Sequence, residues 1–199
     1  MDRGDRIRKE RVIHLVILQT IHHLKKIFMR SIIFILLFSP LLSLAQKTNL
    51  MIRLTDARGA QIKGEAVLKG YERCISAITI SSGGKNNSQL NFTMAVSGAS
   101  VELKRAMAAG EVLPVGQVTV LSTDLTLGAP AITYTIKMER MTVVSCSETM
   151  GCNNVLTTNV TLQATRIGWT YYDVGRGGVQ TVSRKFGWDI ETNAEWGNF

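Results

Sequence analysis

Few side chains in this sequence could carry chemistry, and their spacing limits what they could do. Cys74, Cys146 and Cys152 include no Cys-x-x-Cys pair, and the three histidines, His14, His22 and His23, all fall within the first 45 residues. A thiolate and imidazole metal centre needs four converging ligands, so no metal is expected. A Ser or Cys nucleophile needs a base, and no His follows residue 45 to provide one. Asp189, Glu191 and Glu195 suggest a glycosidase pair, but neighbouring strand positions point to opposite faces, and these acids read as solvated groups. Gly83-Gly84-Lys85 lacks the spacing of a phosphate cradle and runs into a strand. Gly175-x-Gly177-Gly178 is followed by no helix, so it reads as a turn and not as a dinucleotide fingerprint. Neither catalysis nor a cofactor is expected.

The odd number of thiols implies that one stays unpaired. Cys146 and Cys152 flank the short polar connector Ser147-Glu148-Thr149-Met150-Gly151, where a disulfide would staple a loop. Cys74, within Cys74-Ile75-Ser76-Ala77-Ile78, reads as a small buried hydrophobe. Trp169, Tyr171 and Tyr172 form an aromatic cluster that could stack on sugars or bases. Sheet packing accounts for Trp169 and Tyr171.

The elements that must position these residues are mainly strands. Leu50, Ile52 and Leu54 alternate with Met51, Arg53 and Thr55, and Leu90, Phe92, Met94 and Val96 with Asn91, Thr93 and Ala95, which is the period of a half-buried strand. Ile132, Tyr134, Ile136 and Met138 repeat the pattern, after which the apolar parity flips to Met141 and Val143. A second flip separates Val160, Leu162 and Ala164 from Ile167, Trp169 and Tyr171, across Thr165-Arg166. Long strands that change face partway suit a sharply curved sheet with bulges at its corners. The fold class expected is therefore mainly β, a small closed β-barrel of two curved antiparallel sheets with one flanking α-helix. That helix is predicted over residues 99–109, with Ser97 as cap and Gly110 as stop.

The chain has 199 residues, 45% apolar and 19% charged, which excludes low-complexity disorder. Its net charge of +8 comes largely from the first 45 residues, which hold eight of the 23 Lys and Arg and three of the 15 Asp and Glu. The remainder carries 15 basic and 12 acidic groups without a basic stripe, so no nucleic-acid partner is expected. Lys25, Lys26 and Arg30 precede the apolar run Ile32 to Phe38, and Ser43-Leu44-Ala45 offers a signal-peptidase site. The sequence thus divides into an N-terminal extension and signal peptide over 1–45, with a start expected at Met29 and cleavage after Ala45, and one domain over 46–199. The mature chain is expected to be periplasmic or extracellular, touching a membrane only through the signal segment.

The run from Leu156 to Tyr171, followed by Phe186-Gly187-Trp188-Asp189-Ile190, resembles the type VI secretion system tube protein family, the haemolysin co-regulated proteins. The Phe-Gly-Trp-Asp-Ile ending is the more specific half. The likeness extends loosely upstream through Asn91-Phe92-Thr93, the helix and Val118-Thr119-Val120. It implies a non-enzymatic barrel whose partners are copies of itself, six closing into a homohexameric ring with an open lumen. In the family the rings stack into a tube that carries effector proteins and works with the secretion machine. The signal segment sets this chain apart from members assembled in the cytoplasm. The connector Ser82 to Ser88 is shorter than the loop many members use in stacking, which implies rings in preference to long tubes. The alternative from another class is an exported β-rich binding module, a glycan binder or surface adhesin using Tyr172 and Trp196, that shares only the fold.

Overall fold

The computed structural model describes residues 47–83, 88–123, 130–151, 154–175 and 179–199. These lie within the unit Gln46–Phe199. The signal segment expected over 1–45 lies outside the described residues.

Among the described residues eight strands and one helix follow one another as β1 (Lys47–Leu54), β2 (Ile75–Gly83), β3 (Gln89–Ala95), α1 (Gly98–Ala109), β4 (Val112–Thr123), β5 (Pro130–Met150), β6 (Leu156–Val174), β7 (Gln180–Asp189) and β8 (Ala194–Glu195). They form a single antiparallel sheet in the order β3-β2-β1-β4-β5-β6-β7-β8, with a further pairing of β3 to β6. That pairing returns the sheet on itself, so the first six strands make a closed ring of hydrogen-bonded ladders. Where the sequence suggested two curved sheets, one sheet curls round. Strands β7 and β8 extend beyond the ring from the second half of β6.

The parity flips mark where strands change direction or partner. β6 pairs with β3 up to Gln163, opposite Gln89, and with β7 from Arg166, opposite Asp189. The switch falls on Thr165-Arg166, where the apolar pattern changes face. β5 buries Ile136 and Met138, then Met141 and Val143, then Cys146. Its bulge between Val143 and Ser145 causes the last change, because one inserted residue moves every later side chain to the other face.

The core fills the ring with Ile52, Leu54, Leu90, Phe92, Met94, Met138, Met141 and Leu162 among others. α1 covers it with Ala99, Leu103 and Ala106, spaced three and four apart on one helical face. Ser97 begins the helix, its N–H donating to Ser100 Oγ at 3.1 Å. Gly110, at φ 62°, ends it in the left-handed conformation that glycine takes without strain.

A second cluster was not legible as a pattern. Met51, Ala66, Cys74 and Leu121 are buried together, with Leu68, Tyr71 and Ile132 against them. The segment 55–74 folds over the outer face of β1 and covers Met51, which alternation had placed on the solvent side. Cys74 is buried, as expected of a small hydrophobe. Val96, expected to continue β3, lies past its end and is exposed.

Candidate assembly surface

The five residues of the C-terminal motif divide their work by parity. Phe186 stacks on Trp169 across the β6–β7 ladder, the rings 5.9 Å apart and 7° from parallel, and on Trp188 at 6.3 Å. Gly187 pairs with Gly168 on the opposite face. The ring of Phe199 lies on these two glycines, and a Cβ on Gly168 would come within 2.5 Å of it, while one on Gly187 would collide with the same ring and the Trp196 carbonyl. Lys185 fastens this segment, its Nζ 4.2 Å from the Phe199 ring and donating to the carbonyls of Gly197 (3.1 Å) and Phe199 (2.6 Å). The glycine in the motif is thus there to admit an aromatic ring.

Asp189 corrects the sequence reading. It is buried, not solvated. Its Oδ2 accepts from Arg166 Nε at 2.6 Å, and its Oδ1 accepts from the backbone N–H of Glu191 (3.0 Å) and Thr192 (3.1 Å). The Arg166 guanidinium, followed by the Thr192 N–H, holds the carboxyl below its ordinary value, and Asp189 in turn raises Arg166. Ile190 is tied to β6 by its N–H to the Thr165 carbonyl at 2.9 Å. The motif therefore locks the β7–β8 turn onto β6 at the point where β6 changes partner.

Cys146 stands as a buried free thiol. Its side chain points inward, Sγ 4.0 Å from the Ser100 carbonyl beneath α1, and burial pushes its pKa up. The inward parity of Cys146 directs it at the helix; Cys152, the partner expected for it, lies outside the described residues. So do Gly84 and Lys85 of the Gly-Gly-Lys stretch, Gly177 and Gly178 of the glycine-rich turn, and residues 84–87 of the short connector. Of the aromatics suggested for glycan contact, Trp196 is buried and packs on Phe199 at 4.7 Å, and Tyr172 is half-buried.

The surface most suited to a partner escaped the motif reading. Outward residues of β2, β3, β6 and β5 align in rows across the four strands. Thr79, Thr93, Asn159 and Ser147 form one row, and Ser81, Asn91, Thr161 and Ser145 the next. Every member is uncharged and polar. Thr93 donates to Asn159 Oδ1 and Thr161 to Asn91 Oδ1, both at 2.7 Å, and Asn159 Nδ2 donates to Thr149 Oγ1 at 3.1 Å. Beneath this plate the intervening row is Ile80, Phe92, Val160 and Cys146, which faces the core.

Both sides of the plate end in open backbone. β2 pairs with β1 only through residues 75–77, so among the described residues 78–83 have a neighbour on one side alone. β5 pairs with β4 only as far as Thr142, which leaves 143–150 in the same condition. Among the described residues β7 is also open over 180–186, since β8 pairs only with Trp188 and Asp189. Open strand edges are templates for pairing with another chain.

The model of the family described as type VI secretion system effector, Hcp, matches residues 52–171. No curated protein matches the chain. Among solved structures, Hcp1 from Salmonella typhimurium is 16% identical with a TM-score of 0.61, covering 75% of this chain and 99% of its own. Hcp1 from E. coli EAEC 042, solved in a mutant form, is 20% identical with a TM-score of 0.58 over 71% and 98%. The secreted protein Hcp3 from Pseudomonas aeruginosa is 18% identical with a TM-score of 0.56 over 72% and 98%. At these identities the structures establish a shared fold, and the family model, spanning more than half of the sequence, establishes kinship. On the match over 52–171, which takes in the helix and most of the barrel, the chain belongs to the type VI secretion system Hcp family.

Proposed function

We propose that this chain is the ring-forming tube component of a type VI secretion system, a structural and non-enzymatic protein whose copies close into hexamers. The rings can stack and carry small effector proteins in the lumen. The family match carries this reading, and the open edges on both sides of the plate support it, since two different edges on one molecule allow a head-to-tail contact that closes into a ring. A signal segment over 1–45 directs the chain out of the cytoplasm, so the ring forms in the periplasm or outside the cell. Absolute mass by light scattering on the chain from Gln46 onward, with electron microscopy of the same peak, tests the proposal. Six-fold rings are the expected result. A monomer at all concentrations would overturn the ring-forming reading and leave the family membership standing.

A further inference from the structure

We propose that the cavity between the segment 56–63 and α1 binds a small organic carboxylate that also carries hydroxyl groups, with sugar acids as the class that fits. This inference is independent of the ring reading and uses none of the residues of the plate or its open edges.

The cavity measures about 540 Å³, within the range of roughly 300–1,000 Å³ usual for small-molecule sites. Three cations, Arg58, Lys63 and Arg105, and two acids, Asp56 and Glu102, line it. The cations differ in what they already hold. Arg105 donates to Glu111 Oε1 and Oε2 at 2.5 and 3.2 Å and to Glu102 Oε2 at 3.1 Å. The side chains of Arg58 and Lys63 have no partner among the described residues, whereas Lys104, Lys137, Arg140 and Arg166 are all paired with acids. Two unpaired cations lining one cavity are suited to an anion. Arg58 offers the planar fork that matches the two oxygens of a carboxylate, and Lys63 adds a point charge.

The two acids decide which anion. A doubly charged phosphate ester would meet the like charges of Asp56 and Glu102. A single carboxylate needs only Arg58 and Lys63, and the acids then accept from hydroxyls on the same ligand. Ile62, 4% exposed, adds an apolar patch to the floor. The helix wall is open at Gly98, where an added Cβ would meet nothing within 4 Å. A sugar acid combines one charge, several hydroxyl donors and an apolar C–H face.

Both walls are fixed before any ligand arrives. Thr55 bridges to Gln61. Within that turn Asp56 Oδ1 accepts from the N–H of Arg58 (2.9 Å) and of Ala60 (2.8 Å), while the Asp56 N–H donates to the Ala60 carbonyl at 2.7 Å. The Ile62 N–H is bound to the Leu54 carbonyl of β1 at 2.9 Å. On the other side α1 is anchored in the core by Ala99, Leu103 and Ala106. Walls ordered in advance lower the entropic cost of binding.

The test titrates galacturonate into the chain from Gln46 onward, followed by ligand-observed NMR. Galactose keeps the hydroxyls without the carboxylate, acetate keeps the carboxylate without the hydroxyls, and inorganic phosphate supplies a second charge. Galacturonate should bind once per chain, more than about tenfold tighter than the other three, and more weakly as salt rises. Arg58→Gln and Lys63→Gln should each weaken it by about tenfold or more, the loss expected for a charge-assisted hydrogen bond. Gly98→Leu, which fills the cavity and removes no charge, should abolish it. Lys69→Gln, an exposed cation outside the cavity, should change nothing. Circular dichroism verifies that each variant is folded. Galactose or phosphate binding as tightly as galacturonate would overturn the proposal, as would an affinity that neither Arg58→Gln nor Gly98→Leu lowers. Failure of galacturonate, glucuronate and gluconate alike to bind at millimolar concentration would overturn it too. Light scattering on the same samples separates the two readings: rings without binding would overturn the site alone, and binding without rings would overturn the ring alone.

Discussion

At the residue scale, the segment Phe186-Gly187-Trp188-Asp189-Ile190 shows how packing inside the chain dictates residue type. Gly168 and Gly187 lack side chains because the Phe199 ring occupies that space. Gly168→Ala should therefore destabilise the intact chain by about 1–3 kcal/mol, the range for overpacking. In a Phe199→Ala background the obstructing ring is gone, and the same substitution should cost nothing further. Chemical denaturation of the two single variants and the double variant measures this coupling; additive losses would show that the ring is not what excludes the methyl. Asp189 makes a different prediction. Its folded pKa is depressed by Arg166, so its contribution to stability is present above the ordinary carboxylate value, about 3.9, and is lost as pH falls through the lower folded value. Asp189→Asn should lower Tm at neutral pH, and the gap to the unmodified chain should close below about pH 4. A gap that stays constant down to the acid limit would mean that the carboxylate charge is not what matters.

At the scale of elements, the parity flips in β5 and β6 were readable because the side-chain period of a strand is two, and a bulge or bend leaves a visible break in it. The helix was readable from Ala, Leu, Glu, Lys and Arg between Ser97 and Gly110. Leu103 faces the core with no exposure, so Leu103→Ala should cost about 2–5 kcal/mol, whereas Val101→Ala, on the exposed face, should stay within about 0.5 kcal/mol. Urea midpoints would show a large shift for the first and almost none for the second; equal shifts would displace the helix from the face assigned to it. Other features could not be read in this way. Met51 lay on the polar side of its own strand, and only a segment more than ten residues downstream, closing over it, makes that position buried. Asp189 appeared solvated because Arg166, its partner, lies in another strand. The polar rows of the plate depend on the registers of β2, β3, β6 and β5 together. Each strand alone shows only ordinary Ser, Thr, Asn and Gln on its outward face.

At the scale of the whole molecule, the described residues of the plate's polar rows are uncharged and the one charge on its open edges, Glu148, is paired with Lys104, which determines how assembly should respond to its surroundings. Beyond residue 45 the chain carries 15 basic and 12 acidic groups, so copies repel one another weakly. Contacts built from opposite charges weaken as salt rises, because the Debye length shrinks to about 10 Å at 0.1 M and about 3 Å at 1 M. A contact made through the open β2 and β5 edges would rest on backbone hydrogen bonds and uncharged side chains such as Ile78 and Val144, none of which is screened in this way. Ring mass should therefore hold steady between about 0.05 and 0.5 M sodium chloride, with a slight gain at the upper end as residual repulsion is screened. Light scattering at fixed protein concentration across that range is the measurement. Dissociation that deepens steadily with salt would place ion pairs at the contact and direct attention to the charged surfaces, with Arg184 and Lys185 on the β7 edge first among them. Insensitivity to salt, together with loss of the ring on Ile78→Asp, would leave the open β2 and β5 edges, whose one charge is the internally paired Glu148, as the contact.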